Sequence, residues 1–203
     1  MKKNKFSKNW IIKQKRDIYV KKSKAEGYRS RAVYKLKEIN EKFNIFKNGI
    51  RVLDLGAAPG SWSQFVSRNF KNSKIASIDL NEMEKIENVF QIKGDFTNQI
   101  YQKKIIDYFS NKIDVVISDM AVNTTGNKNI DSLVTGELSI EALNFSTNIL
   151  VKQGNFVSKI FMGSSFNEII KIAKRKFIKV NIFKPAASRK DSKENFIICK
   201  NFR

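Results

Sequence analysis

The sequence has no histidine, one cysteine and two prolines among its 203 residues. Without histidine, acid–base chemistry near neutral pH has to use lysine, aspartate, glutamate or tyrosine. A single cysteine excludes an internal disulfide, and the two shortages together leave no ligand set for a structural zinc site. We therefore expect a protein that resides in a reducing compartment and binds no metal.

Long apolar runs are also missing, and acidic residues are scarce. No stretch approaches the roughly 18–20 apolar residues of a membrane span, and the basic start MKKNKFSKNW lacks the apolar core of a signal peptide. We therefore expect a cytoplasmic protein. Lysine and arginine number 39 against 19 aspartates and glutamates, a formal net charge of +20. This excess favours a polyanionic partner, nucleic acid first and an anionic membrane surface second.

Residues 1–28 combine many lysines with the aromatic residues Trp10, Tyr19 and Tyr28. Lysines neutralise phosphates and aromatic rings stack on bases, so this composition is typical of an RNA-binding or DNA-binding arm. The alternative is a solvated tail, and such arms often become ordered only on binding. Residues 29–203 are predicted to form a single domain, which begins with an amphipathic helix over 29–43.

After that helix, short apolar runs alternate with helical patterns. Continuously apolar runs such as 115–117 are typical of strands that are buried on both faces. The alternation predicts an α/β fold with a single doubly wound, mostly parallel seven-stranded sheet flanked by helices, Rossmann-like in class. The last two strands have no helix between them and are expected to pair antiparallel at one edge. Strands are predicted over 51–55, 74–79, 89–93, 113–118, 155–160, 177–183 and 195–199, and helices over 61–70, 97–109, 136–151 and 165–176.

The first strand runs into a small-residue loop, Gly56 to Gly60, and a helical pattern follows. Glycine permits a sharp turn and close approach of a ligand, and the N–H groups of the following helix point back at the loop. The loop does not have the G-x-G-x-x-G pattern of dinucleotide sites. Asp79 ends the second strand and could accept hydrogen bonds from ribose hydroxyls, and Asp95 after the third strand could accept one from an adenine amino group. This set of residues has no group that would bind a phosphate, and it therefore favours S-adenosylmethionine as the cofactor, with NAD as the alternative. Each aspartate could also simply stabilise a turn.

Four more ionisable residues stand where chemistry is expected. Asp119 follows the fourth strand, Lys159 interrupts the apolar fifth strand, Glu194 opens the last strand and Lys35 lies in the first helix. A lysine in a buried strand is costly unless it is paired or functional. The plainer readings are a turn residue for Asp119, a snorkelling lysine for Lys159 and solvated surface charges for the other two.

Several short strings occur in a fixed order along the chain: YRSRA with YKL (28–36), DLGAAPGSW (54–62), GDF (94–96), SDMA-N (118–123), SKIF-G (158–163) and KP, SR, S and E between 184 and 194. In these strings the sequence resembles the FtsJ/RrmJ (RlmE) family of ribosomal RNA 2′-O-methyltransferases, over about residues 10–203. Two departures are visible: Ser61 replaces a second glycine, and Val122 stands where the family has proline, which could loosen the loop after Asp119.

The resemblance implies methyl transfer from S-adenosylmethionine to the ribose 2′-OH of a uridine in large-subunit ribosomal RNA, on an assembled or nearly assembled particle. We expect a monomer. Lys159 would be the general base if it is neutral when it reacts, or else a cation that steadies the developing alkoxide. Transfer RNA as the substrate, or a non-catalytic ribosome assembly factor of the same fold, are the alternatives. The implied residues are a catalytic tetrad of Lys35, Asp119, Lys159 and Glu194, and cofactor contacts at Gly60, Trp62, Asp79, Asp95 and Asp119.

Overall fold

The structure is a computed structural model that describes residues 17–110, 112–121, 128–163, 165–189 and 192–203, with backbone only for 128–132. Trp10, most of the predicted basic arm and Val122 lie outside these residues. The division into an arm of 1–28 and a domain of 29–203 therefore stays a prediction. Across the described part of the chain, no helix is both long and apolar enough to cross a membrane.

Seven strands form one sheet: β1 Arg51–Leu55, β2 Lys74–Asp79, β3 Val89–Lys93, β4 Ile113–Ser118, β5 Leu150–Phe161, β6 Phe177–Phe183 and β7 Glu194–Phe202. Their order in the sheet is β3-β2-β1-β4-β5-β7-β6. Strands β1 to β5 pair in parallel, and β7 pairs antiparallel with both β5 and β6. The predicted fold class is therefore confirmed, including the antiparallel edge.

Helices cover both faces of this sheet. One apolar cluster lies on the face covered by the helices over 99–109, 128–149 and 166–176, with Ile105, Leu143 and Ile169 among its buried members. A second lies on the face covered by the helices over 33–43 and 61–69, around Leu36 and Val66. The central strands are buried from both sides, which explains why they read as continuous apolar runs, whereas the edge strands β3 and β6 are largely exposed. The helices are α1 Ile18–Ala25, α2 Val33–Phe43, α3 Ser61–Asn69, α4 Gln99–Phe109, α5 Lys128–Ile149 and α6 Phe166–Lys176.

Helix α1 was not predicted from the sequence. It is short and polar, and no apolar stripe marks it as helical. Two contacts hold it in place. The Asp17 carboxylate accepts a hydrogen bond from Tyr19 N at 3.0 Å and caps the helix, and the Tyr19 ring packs 5.3 Å from that of Tyr34. The helix thus depends on a cap and a tertiary contact.

The boundaries predicted around α5 and β5 were wrong. The helix starts at residue 128 instead of 136, and β5 starts at 150 instead of 155. Glycine is unfavourable inside helices, so the sequence around Gly136 does not favour a helix that runs through it. A Cβ at Gly136 would lie 2.5 Å from the side chain of Ser165. Glycine is needed there because the segment that leads into α6 packs directly on the helix.

The chain reverses its direction of winding between β1 and β4, which lie side by side at the centre of the sheet. The loops that follow the parallel strands all lie at one end, which we call the carboxyl end, and the strands start at the opposite, amino end. Because β7 is antiparallel to β5, its first residue, Glu194, pairs with Phe161 and lies at the carboxyl end. The four predicted tetrad positions can therefore meet there.

Candidate active site

A cavity of about 700 Å³ opens at the carboxyl end, between the loops that follow β1, β2, β3 and β4. Asp79, Asp95, Asp119 and Lys159 line it, as do Gly56 and Ala58 of the glycine loop. This is where a doubly wound sheet binds its ligand. The sequence-predicted residues that line the cavity come from four separate segments of the chain.

Gly60 and Trp62 are not among the described lining residues. Gly60 precedes α3, with a φ of 103° that favours glycine, and a Cβ there would lie 2.9 Å from Arg29 Nη1. Trp62 is 3% exposed, and its Nε1 donates a hydrogen bond to Ala32 O at 2.8 Å. Both residues support the loop from behind, and their predicted contacts with a cofactor stay predictions.

The glycine loop has no room for a side chain at Gly56. Gly56 has a φ of 68°, and a Cβ there would lie 2.0 Å from Cγ of Met120, which lies over the loop. On the other side, Ala58 N donates a hydrogen bond to Asp79 Oδ2 at 2.9 Å. The loop is therefore fixed between β2 and the segment that follows β4.

Asp79 and Asp95 also shape their own turns. Asp79 Oδ1 accepts a hydrogen bond from Asn81 N at 2.7 Å, and Asp95 Oδ1 accepts from Thr97 N at 2.9 Å and from Thr97 Oγ1 at 2.8 Å. Both aspartates therefore do stabilise turns, as the sequence analysis considered. This role is compatible with binding a ligand, because both residues also line the cavity.

Lys159, Asp119, Lys35 and Glu194 form a chain of alternating charges beside the cavity. Lys159 Nζ donates a hydrogen bond to Asp119 O at 2.6 Å and lies 3.0 Å from Asp119 Oδ1. Lys35 Nζ lies 3.4 Å from Asp119 Oδ2 and 3.1 Å from both carboxylate oxygens of Glu194. The structure thus brings together the four residues predicted to act in chemistry.

Burial and pairing have opposite effects on this network. Desolvation is the largest single influence on both Asp119 and Lys35 and disfavours their charged forms. The two lysines together outweigh it and lower the pKa of Asp119. The carboxylates of Asp119 and Glu194 likewise outweigh it and raise the pKa of Lys35. Lys35 is therefore a cation at neutral pH and has no lone pair to accept a proton, and the lowered pKa of Asp119 makes its carboxylate a weak base.

The position of Lys35 depends on aromatic packing as well as on charge. Its Nζ lies 5.6 Å from the centre of the Phe196 ring, which pairs across the sheet with Lys159. The Trp62 ring packs 5.8 Å from that of Phe196. Trp62 and Phe196 thus form an apolar floor between α3 and the two lysines.

Sequence reasoning missed three residues that hold the site together, although two of them, Arg29 and Arg31, lie in the string YRSRA. The Arg29 guanidinium donates to the carbonyls of Pro59 at 3.0 Å, Glu84 at 2.8 Å and Lys85 at 3.0 Å. It therefore joins the glycine loop to the segment after β2. No charge pattern in the sequence indicates this, because the acceptors are backbone oxygens.

The other two missed residues hold the segment that leads into Glu194. The Glu38 carboxylate accepts hydrogen bonds from Ala186 N at 2.6 Å and Ala187 N at 2.9 Å. Arg31 is hydrogen-bonded to the Asp17 carboxylate and to Ala187 O. Helix α2 thus supplies Lys35 and, one turn later, Glu38, which positions the start of the segment that supplies Glu194.

Asp54 is a buried carboxyl directly below the glycine loop that the sequence analysis did not select. It is 1% exposed and accepts a hydrogen bond from Ser63 Oγ at 2.7 Å. Burial raises the pKa of Asp54 to about 7, against the lowering effect of the Ser63 hydrogen bond and with a further rise caused by the charge of Asp119. The signal that could have found it is an aspartate between the apolar residues Leu53 and Leu55 of a buried strand, since a buried carboxyl needs a partner.

The family model for the FtsJ-like methyltransferases matches residues 28–202. The chain is 64% identical over 203 residues to "Ribosomal RNA large subunit methyltransferase E" of Pelagibacter ubique, and the match covers 100% of both chains. A solved structure from Plasmodium falciparum that carries the name ribosomal RNA methyltransferase has a TM-score of 0.77 and 33% identity, covering 86% of this chain and 98% of that one.

Human methyltransferase-like protein 13, solved in complex with SAH, has a TM-score of 0.55 at 14% identity, covering 75% of this chain and 72% of that one. At that identity the likeness shows the fold alone. The family match and the first two relatives go further, because they cover nearly the whole chain at high or moderate identity. The chain belongs to the FtsJ-like methyltransferase family.

Proposed function

We propose that this methyltransferase moves a methyl group from S-adenosylmethionine to the ribose 2′-OH of a uridine in large-subunit ribosomal RNA. It would act as a cytoplasmic monomer on the assembled or nearly assembled particle. The observation that carries the proposal is the chain of Lys159, Asp119, Lys35 and Glu194 beside the cavity. The name of the Pelagibacter relative supports the choice of ribosomal RNA over transfer RNA.

The cavity fits the adenosine part of S-adenosylmethionine. The Asp79 and Asp95 carboxylates line it next to the glycine loop, where hydroxyl and amino groups of a nucleoside need acceptors. Gly56 lines the cavity, while Met120 takes the place of its missing side chain, so the loop would meet a ligand through its backbone. When bound, S-adenosylmethionine supplies an electrophilic methyl group on a positively charged sulfur.

Lys159 is the proposed general base. A neutral amine has two N–H donors and one lone pair. Asp119 offers two oxygens to Nζ, its carbonyl at 2.6 Å and Oδ1 at 3.0 Å. A neutral Lys159 that donates to the carbonyl, with Oδ1 beside it, would direct its lone pair away from both oxygens, and the ribose hydroxyl would take that direction and give up its proton there.

Lys35 would have a different task. As a permanent cation held by Asp119 and Glu194, it supplies positive charge where the ribose oxygen becomes negative. Glu194 and Asp119 orient the two amines. The low exposure of this group, with side chains of Lys35 and Lys159 12% and 9% exposed, strengthens each electrostatic contact.

The test is transfer of labelled methyl groups from S-adenosylmethionine to large ribosomal subunits isolated without the modification. Lys159→Ala should lower the transfer rate by about 10²–10⁴-fold, the usual contribution of a general base, with cofactor affinity nearly unchanged. Lys171→Ala removes an exposed lysine from α6 and is the matched control. Full activity of Lys159→Ala would refute the assignment of the base.

The substrate is tested separately by mass-spectrometric mapping of ribose methylation in total RNA, with and without the gene. Loss of one 2′-O-methyluridine from large-subunit RNA is the expected result. Loss from transfer RNA instead would move the target, and no loss at all would favour a non-catalytic assembly factor.

A further inference from the structure

A second cavity of about 520 Å³ lies at the amino end of the sheet, away from the methyl-transfer site. Its lining is polar. Lys47, Lys152 and Lys200 contribute cations, and Asn44, Gln153, Asn155 and Asn201 contribute side-chain amides. Lys200 Nζ is hydrogen-bonded to Phe43 O at 2.6 Å, whereas Lys47 and Lys152 are solvent-exposed at the rim.

The one carboxylate in the described lining is Asp114, and its charge is compensated. Arg51 Nε and Nη2 donate to its two oxygens at 2.8 and 2.7 Å, and Arg51 N adds a hydrogen bond at 2.9 Å. Burial works against ionisation, but the Arg51 contacts outweigh it and the pKa of Asp114 is lowered. The pair is formally neutral, so the lysines decide the sign of the potential in this cavity.

The surface around the cavity is strongly basic. Elements that start or end at the amino end carry exposed Lys71, Lys74 and Lys112, and the last turn of α6 adds Lys174 and Lys176. Among the described residues of these same ends, the exposed acids are Glu41, Glu87 and Asp107. A surface with this excess attracts a phosphate backbone.

The cavity and its rim together suit one class of ligand. Lysines at the rim can pair with phosphates, and amides inside can both donate to and accept from ribose hydroxyls and base edges. The lining asparagines Asn44 and Asn201 and the neighbouring Gln153 adopt left-handed backbone conformations, with φ of 50°, 60° and 64°. These conformations direct three amide-bearing residues around a single concavity.

We propose that the amino end of the sheet is a second RNA-binding surface, which holds backbone phosphates of a ribosomal RNA segment remote from the methylated nucleotide. This inference rests on the proposed function, because it assumes a large RNA substrate. Strand β1 has five residues and separates the two ends by roughly 17 Å at 3.3 Å per residue. A folded particle can present separate RNA segments to both ends at once.

The first test compares charge removal at this surface with equal removal elsewhere. One variant carries Lys47→Gln, Lys112→Gln and Lys152→Gln, and the control carries Lys103→Gln, Lys104→Gln and Lys171→Gln; all six lysines are exposed. Each lost phosphate contact lowers the slope of log K against log salt by about 0.7–0.9, so the first variant should lose about 2–3 in slope for large subunits. Its KM for subunits should rise by about tenfold at unchanged kcat, and the control should match the native protein.

The second test locates the RNA directly. The native Cys199 is buried, and burial raises the pKa of its thiol, so it stays unreactive. Lys152→Cys and Lys193→Cys each introduce one accessible thiol, at the amino and the carboxyl end respectively, for a photocrosslinker. In complexes with large subunits, the two variants should crosslink to different RNA segments.

The outcomes separate this inference from the proposed function. If the native protein does not methylate large subunits, the proposed function fails. If it methylates them but the salt slope of the triple variant is unchanged, or Lys152→Cys gives no RNA crosslink where Lys193→Cys does, the second surface is refuted and the proposed function stands.

Discussion

Removal of the Glu38 carboxylate tests whether the segment before Glu194 is positioned by helix α2. Glu38→Ala deletes two charge-assisted hydrogen bonds, from Ala186 N at 2.6 Å and Ala187 N at 2.9 Å. Ala187 is fully buried, so its N–H is left without this partner inside the protein. Glu38→Gln keeps one side-chain acceptor oxygen and should show a smaller effect.

The size of the effect follows from these contacts. Hydrogen bonds to charged groups contribute about 1.5–3 kcal/mol each, and Glu38 is only half-buried, so we take about 2 kcal/mol for the pair. That free energy changes the population of the open segment by about 30-fold. The change should be centred on Ala186 and Ala187, of which Ala187 belongs to the second apolar cluster.

Two measurements check it. Amide hydrogen exchange at residues 186 and 187 should accelerate by about 30-fold in Glu38→Ala, and by less in Glu38→Gln. The kcat for methylation of large subunits should fall in the same order, because Glu194 then orients Lys35 less often. Glu41→Gln, one turn later on the exposed side of α2, is the control. Unchanged exchange at both amides in Glu38→Ala would show that the carboxylate does not hold the segment.

Other predictions concern the cofactor pocket and the buried carboxyl. Asp79→Ala should weaken S-adenosylmethionine binding more than RNA binding, and equal cofactor affinity by calorimetry would contradict a ribose role. The pKa of Asp54 is about 7 in the folded protein against an ordinary 3.8, so folding favours its protonated form and its ionisation costs stability as the pH rises from about 4 to 7. In urea unfolding, Asp54→Asn should therefore gain stability relative to the native protein by up to about 4 kcal/mol between pH 4 and pH 8, and a pH-independent difference would contradict this. Cys199 should resist thiol reagents until the protein unfolds, and rapid modification of the native state would oppose its burial.

Much of the sheet could be predicted because buried parallel strands have a strong signature. Runs such as 113–118 and 74–79 were predicted with the correct bounds, since no other element is short, apolar and bounded by polar residues. Helix α1 could not be found this way, because its order comes from the Asp17 cap and from Tyr19 on Tyr34. The early start of α5 was hidden because Gly136 serves close packing with Ser165, a contact between distant residues.

In the candidate site, too, some residues could be predicted from the sequence and others could not. Lys159 and Asp119 stand out because charged residues at the end of buried strands need a reason. Lys35 and Glu194 are more ordinary in sequence, and only the antiparallel course of β7 brings Glu194 within 3.1 Å of Lys35. Glu38 was missed because it binds backbone N–H groups, which leave no trace in side-chain patterns.

The position of β7 in the sheet affects the order in which the enzyme folds during synthesis. This strand follows β6 in the chain, yet it lies between β5 and β6 in the sheet. During synthesis, β1 to β5 can pair as they emerge, but β6 has no neighbour in the sheet until β7 arrives. Glu194 opens that last strand, so Lys35 lacks one of its two carboxylate partners until then. The charge network of Lys159, Asp119, Lys35 and Glu194 is therefore completed only in the final step of folding. A partly synthesised chain can form the cofactor cavity before it has the complete network.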